Sequence, residues 1–375
     1  MIYLDYSANT PVDARVLEQF CAVERRCIGN ANSHPQAGSA AKAEIDAATI
    51  KIASLLGVQP AEIIYTSGAS EANNFALKGL ARLSRHAGRH IISTPLEHSS
   101  VSGTLTALQE QGYEIDLLDV KQDGTVDLEH LKDLLRPDTI CVAVTLVDSE
   151  LGVVQPVQEI AAILKAYPHC HLHVDATQAV GKIPVSFEGV DTMSLTAHKF
   201  YGLNGIGLLI KRRNLALEPL IHGGESTTIY RSGTPTVALA SSLACALNLA
   251  VTDLPGRVDH VAKLNAELRA ALSTYPLVRI NSPDHAIPHV LNLSVQNVKG
   301  TIFQRELDAK GVCVSVKSAC SSDGLPSRAV FAVSRDRRNA LSSWRISLSH
   351  LTTEDESKAF LQAFDVCYRE LTAVH

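Results

Sequence analysis

Short apolar runs alternate with longer amphipathic segments through the first half of this chain. Ile2–Tyr6, Glu62–Thr66, His90–Thr94, Glu114–Leu118, Ile140–Val147 and His171–Asp175 read as strands, and Leu208–Ile210 as a further one. Between them the apolar positions recur with helical spacing. Helices are predicted from about Pro11 to Val23, from Ala40 to Leu56 behind an N-cap at Ser39, and from Glu71 through Leu83. Others run from Ser99 to Gln111, from Leu128 to Leu135 and around Val157–Ala166. The run Ile140–Val147 is apolar on both faces, which suits a parallel strand covered from both sides. Repeated strand–helix units imply an α/β fold with a mostly parallel sheet and right-handed crossovers. Sites in such folds gather at the C-terminal strand ends. Ser67, His98, Asp175 and Lys199 all fall just after predicted strands.

The texture changes further on. An Ala/Leu-rich helix is predicted from Thr236 to Val251, and Asp253-Leu-Pro-Gly256 reads as a domain boundary. Beyond it come a helix over Val258–Leu272 and a strand over His289–Val295. A helix over Thr301–Lys310 follows, with a Thr301/Gln304 capping box and Gly311 just past its end. Trp344–Leu348 alternates as a strand, and a Thr353/Glu356 box opens a last helix that buries Phe360, Phe364, Cys367 and Leu371. The expected organisation is a large domain over residues 15–254 and a smaller α+β domain from residues 1–14 and 255–375.

Composition narrows the function. With 375 residues, 46% hydrophobic and 19% charged, the chain has enough apolar material for such cores. The net charge of −5 gives no basic footprint for nucleic acid. No apolar run approaches the ~18 residues needed to span a bilayer. The N-terminal residues carry no basic leader or cleavage pattern, and the eight scattered cysteines include no CxxC. Both features predict free thiols in a reducing, cytosolic setting.

Some stretches carry candidate chemistry. In Ser194–Gly207 an apolar strand ends at Thr196, Ala197 and His198, beside Lys199 and the glycines at 202, 205 and 207. A lysine at a buried strand end is costly unless paired or chemically used, so Lys199 is either a loop lysine or a Schiff-base lysine. Strand, Ser67-Gly-Ala-Ser70 turn and helix start together form an anion seat. Gly29–Gly38 is a long polar turn segment, either connector or part of a site. His171 and His173 share a strand face but lack further metal ligands nearby, so no metal is expected.

These stretches, taken in order, resemble the pyridoxal-phosphate cysteine desulfurases of the NifS/IscS type, class V aminotransferases of fold type I. The marks are Tyr3-Leu-Asp-Tyr-Ser-Ala8, Thr66-Ser-Gly-Ala-Ser-Glu71, Glu97-His98 and His173-Val-Asp-Ala-Thr-Gln178. They continue with Ala197-His-Lys-Phe-Tyr-Gly202, Arg231-Ser-Gly-Thr234, Ser318-Ala-Cys-Ser-Ser322 and Arg345-Ile-Ser347. The resemblance implies a mostly parallel seven-stranded sheet between helices, with a smaller domain carrying the cysteine loop and the substrate arginine.

The resemblance also implies roles. Lys199 would hold pyridoxal 5'-phosphate as an imine and act as base, Asp175 would pair with the pyridinium nitrogen, and His98 would stack on the ring and handle protons. Gln178 would bond the phenolate oxygen, and Ser149 stands where an asparagine usually contacts cofactor or substrate. Ala69, Ser70, Thr196 and His198 would cradle the phosphate, with Thr234 reaching across from the partner of a homodimer. Arg345 and Asn30 would bind L-cysteine, the former by its carboxylate. Cys320 would take the sulfur as a persulfide and pass it to an acceptor protein, in iron–sulfur cluster assembly, tRNA thiolation or DNA phosphorothioation. A basic neighbour such as Lys317 lowers a thiol pKa. Asp148-Ser149 replaces the usual two asparagines, Lys317 and Glu225 each replace a glycine, Leu203-Asn204 replaces Pro-Lys, and Ala31 replaces proline. The cofactor set is intact and the substrate set is edited. A selenocysteine lyase or related C–S lyase, and a non-catalytic interaction homologue, are the alternatives.

Overall fold

The structure is a computed structural model that describes residues 1–33, 35–317 and 325–373. Its centre is a seven-stranded sheet. The strands are β2 (Ile63–Thr66), β3 (His90–Ser93), β4 (Glu114–Leu117), β5 (Thr139–Thr145), β6 (His171–Asp175), β7 (Thr192–Thr196) and β8 (Gly207–Lys211), with β1 (Ile2–Tyr3) lying elsewhere. Their spatial order is β2-β8-β7-β6-β5-β3-β4. Only β8 runs antiparallel, to both β2 and β7. The short connection over residues 197–206 leaves no room for a crossover helix, so β7 and β8 pair as a hairpin. Every residue of β5 is buried, as expected for a strand covered on both faces.

One face is covered by α3 (Ala69–Leu83) and α4 (Ser99–Gln109), once α1 (Ala14–Arg26) and α2 (Pro35–Leu56) are set apart on the other side. There α1 and α2 pack on α7 (Val237–Thr252), while α5 (Leu128–Leu134) and α6 (Val157–Leu164) complete the layer. A second core gathers Leu4 with residues from Val261 to Tyr368. It joins α8 (Leu254–Leu272), α9 (Gly300–Ala309) and α12 (Glu354–Thr372) to a sheet of order β12-β10-β9. Those strands are β9 (Val278–Ile280), β10 (Val290–Val295) and β12 (Ser343–Ser347), and β11 (Val312–Cys313) pairs parallel with β1. The N-terminal strand thus ties the start of the chain to the C-terminal core. In that core Phe303 stacks on Trp344 at 5.1 Å, with Phe360 and Phe364 around them.

Several boundaries differ from the sequence reading. Helix α1 starts at Ala14, because Asp13 accepts the Arg15 N–H and acts as the cap. Helix α2 starts at Pro35 and not behind Ser39, since a proline's fixed φ suits the first helical position. The segment 35–38 is therefore helix. No loop separates α7 from α8: Asp253 alone breaks them, at a 64° bend, with Pro255 in the first turn of α8. The Thr301/Gln304 box does not form, because Gln304 donates to the Val314 carbonyl at 2.8 Å. The Thr353/Glu356 box does form. Two short helices, α10 (Arg328–Ser334) and α11 (Arg337–Ser342), were not signalled by periodicity, and neither were β9 and β11. No single helix among the described residues is long and apolar enough to cross a membrane.

Candidate active site

A cavity of about 330 Å³ opens at the C-terminal ends of β2, β5, β6 and β7. Ala69, Ser70, His98, Ser149, Asp175, Gln178, Thr196, His198, Lys199 and Arg345 all line it. These residues come from segments far apart in sequence, and the sheet brings them to one place.

The sheet end forms the floor. Asp175 closes β6 and is nearly fully buried, with Oδ1 accepting from the Thr177 N–H and Oδ2 from the Asn73 amide, both at 2.9 Å. Lys199 sits in the single turn after β7, and its Nζ donates to the Ser7 and Ala8 carbonyls at 2.7 and 2.6 Å. Tyr201, two residues on, has φ of +68°, costly for a bulky residue. It is held there by the Thr10 hydroxyl on its N–H at 2.8 Å and by Ser349 against its own hydroxyl. Gln178 donates to the Ser7 carbonyl at 2.9 Å and accepts from Lys182 Nζ at the same distance. Burial, then the positive charges of Lys199 and Arg345, lowers Lys182 to about 7.

An anion seat lies beside the floor. Helix α3 begins at Gly68 without a side-chain cap, which leaves its first-turn N–H groups facing the cavity. The approach is close: a Cβ on Gly207 would sit 2.7 Å from the Gly68 Cα and 2.6 Å from the Leu195 carbonyl oxygen. Glycine is required there by space. His198 is pushed down to about 4 by burial and by Lys199, so it faces the seat uncharged.

His98 caps α4. Its Nδ1 accepts from the Ser100 N–H at 3.2 Å and lies 2.9 Å from the Ser100 hydroxyl, so Nε2 is left for the cavity. Burial is the main cause that lowers its pKa. Beneath it Glu97 accepts from Thr94 and from the Thr145 N–H, and burial pushes its carboxyl up to about 8.

The opposite rim is built by chain crossing from the second core. Arg345 is 2% exposed. Its Nη1 donates to the Ser149 carbonyl at 2.7 Å and its Nη2 to Asp5 Oδ1 at 2.9 Å, while Nε has no partner among the described residues. A buried guanidinium that lines a cavity, with N–H groups left over from its own contacts, is a seat for a small carboxylate. Asp148 serves the turn before it, accepting the Glu150 and Leu151 N–H groups. That turn presents the Ser149 carbonyl to Arg345, and burial raises Asp148 to about 7.

Two expected residues do not line this cavity. Thr234 is exposed and lines a neighbouring cavity of about 160 Å³ with Arg231 and Ser226; the two cavities share Ser67. Asn30 is exposed and turns its side chain back to the Asn32 N–H. Cys320 lies outside the described residues. Sequence reasoning missed Asn73, His173 as its neighbour, Lys182 and Asp5. The signal for Asn73 was available: a polar residue at helical spacing from Ala76 and Leu80, on the apolar face of α3.

The donor set fits pyridoxal phosphate. The open helix start suits the phosphate, the buried Asp175 a basic ring nitrogen, and the Lys199 amine an aldehyde. The sequence profile of class V aminotransferases matches residues 2–360. The chain belongs to that family. It is 35% identical to a NifS/IcsS protein homologue of Lactobacillus delbrueckii subsp. bulgaricus, over all of this chain and 99% of the other. It is 39% identical to the cysteine desulfurase IscS of Proteus mirabilis, over 95% of this chain and 89% of that one. A solved NifS-like protein superposes with a TM-score of 0.91 at 35% identity, covering 97% of this chain and 98% of its own. Within the class V family, this chain is of the NifS/IscS type.

Proposed function

We propose that this protein is a pyridoxal-phosphate cysteine desulfurase that converts L-cysteine to L-alanine and passes the sulfur, by way of Cys320, to an acceptor protein. The observation that carries the reading is one cavity lined together by Lys199, Asp175 and the buried cation Arg345. The relative named cysteine desulfurase, similar over nearly the whole chain, supports the reaction type.

Lys199, Asp175, Gln178, His98 and the start of α3 would hold the cofactor, which when bound supplies an electron sink for negative charge at the substrate Cα. Arg345 binds the substrate carboxylate and fixes Cα above Lys199. The Lys199 amine takes the Cα proton. His98, held neutral by burial, offers its Nε2 site for proton transfer at the sulfur end. The Cys320 thiolate attacks the substrate sulfur: an S–S bond forms, the Cβ–S bond breaks, Cβ gains a proton, and the Lys199 ammonium returns the proton to Cα. The products are alanine and an enzyme persulfide, with no external oxidant or reductant. Two copies associate, and the exposed Thr234 reaches the partner's phosphate seat. The seven described cysteines are all free thiols, which supports the reading of a reducing, cytosolic compartment.

Incubation with L-cysteine should release L-alanine, and Cys320→Ala should stop it while the cofactor stays bound. Turnover of L-selenocysteine alone would overturn the reading in favour of a lyase.

A further inference from the structure

Behind the floor runs a hydrogen-bond network that the proposed reaction does not use directly. Its hub is Asn73, in the second turn of α3 and fully buried between β6 and β7. The Asn73 Nδ2 lies 2.9 Å from Asp175 Oδ2 and 2.8 Å from the Ser100 hydroxyl. Its Oδ1 accepts from the Ser194 hydroxyl at 2.5 Å and lies 3.0 Å from His173 Nε2. All four groups of one amide edge are therefore engaged.

The directions follow from chemistry. Asp175 already accepts an N–H on its other oxygen, so the amide turns its NH₂ toward Asp175. The Oδ1 then faces His173, whose Nε2 must carry the proton. His173 Nδ1 is left to accept from Thr192 at 2.9 Å, and burial pushes this histidine down to about 4, so it stays neutral. On the other branch Asn73 donates to the Ser100 oxygen. That leaves the Ser100 proton free to point at His98 Nδ1. The Ser100 N–H points at the same nitrogen, so His98 carries its own proton on Nε2.

We infer that Asn73 is a positioning residue: its one amide holds the Asp175 carboxylate in place and orients the Ser100 hydroxyl toward His98, so that it sets the state of two cavity residues together. Neither residue is reached by Asn73 through the cavity. The inference rests on the cofactor reading above only for the role given to Asp175. The charged groups facing His98 are Asp175 after β6, Lys199 after β7 and Arg328 at the start of α10, with Glu97 beside it in sequence.

The test uses the full-length holoenzyme with ¹⁵N-labelled histidine and two readouts. One is the pH titration of the His98 imidazole, assigned by its loss in His98→Gln. The other is the pH midpoint of the bound cofactor's visible absorbance. Asn73→Asp keeps the shape and the acceptor for His173 but removes both donations, and should raise both midpoints by about one pH unit. Asn73→Ala, which adds no charge, should raise both by less. Ser100→Ala should raise the His98 midpoint alone, because only that branch is cut. Folded Asn73 variants with both midpoints at the wild-type value would overturn the inference. So would Ser100→Ala moving the absorbance as far as Asn73→Ala does. A protein that binds no cofactor overturns the proposed function, and the His98 titration then decides this inference by itself.

Discussion

The floor and the rim of the cavity are built by different physics. The floor is the end of a sheet: Asp175, Thr196 and Lys199 are placed by strands whose registers are fixed along their whole length. Neighbours bond its polar groups, as Asn73 and Thr177 do for Asp175. The rim joins segments far apart in the chain: the Ser347 N–H donates to the Leu4 carbonyl at 2.8 Å, and a charged pair is set beside that contact. Arg345 is pinned by Asp5 from the N-terminal segment and by the Ser149 carbonyl, and its Nε donates to nothing among the described residues. A sheet end rigidly presents groups to a permanent ligand, whereas a half-paired buried cation is suited to one that comes and goes. The floor should govern cofactor retention, and the rim substrate recognition.

The largest effect should come from the floor. Lys199→Ala removes both the tether and the base, and alanine formation should fall by about 10⁴-fold. Loss of covalent cofactor capture checks it by absorbance. On the rim, Arg345→Ala should lower kcat/KM by roughly 10²–10³-fold, mostly through KM, with cofactor content unchanged. Arg345→Lys should not restore it, because an ammonium cannot reproduce the planar fork. A rim variant that empties the cofactor site would break the comparison.

Smaller effects sharpen it. Gly207→Ala forces β8 against the Gly68 backbone and should destabilise the protein by about 1–3 kcal/mol, with weakened cofactor binding. Thermal unfolding with and without added cofactor reads both. Beneath the floor, Glu97 has a folded-state pKa of about 8, above the ordinary carboxyl value. The folded protein therefore binds this proton more tightly than the unfolded chain does. Its stabilising contribution is complete at low pH and is lost as pH rises from about 4.5 to 8. Glu97→Gln should remove on the order of 2 kcal/mol of that decline, measured as a flatter dependence of unfolding free energy on pH. Asp148, raised to about 7, keeps a weaker decline of the same sign.

The floor was legible in the sequence because strand, turn and helix signals are local. Asp175 and Lys199 follow apolar runs, and the Ser67–Ser70 turn precedes an amphipathic helix. The rim was legible only in part. Arg345 stands out as a basic residue within an alternating strand, but nothing local says that Asp5 pairs with it across most of the chain. Lys182 and Asn73 hide among apolar neighbours on helical or turn segments, where a polar residue reads as a solvent-facing position. The Thr301/Gln304 box failed for the same reason: a side chain with a tertiary partner ignores its local motif.

The central claim is that this cavity moves sulfur from L-cysteine to Cys320. Mass spectrometry of the holoenzyme after addition of L-cysteine tests it most directly, with the peptide carrying Cys320 isolated under non-reducing conditions. The account predicts that this peptide gains one sulfur atom, that L-alanine appears in step, and that both signals vanish in Lys199→Ala. An unmodified Cys320 peptide alongside undiminished alanine release would contradict it.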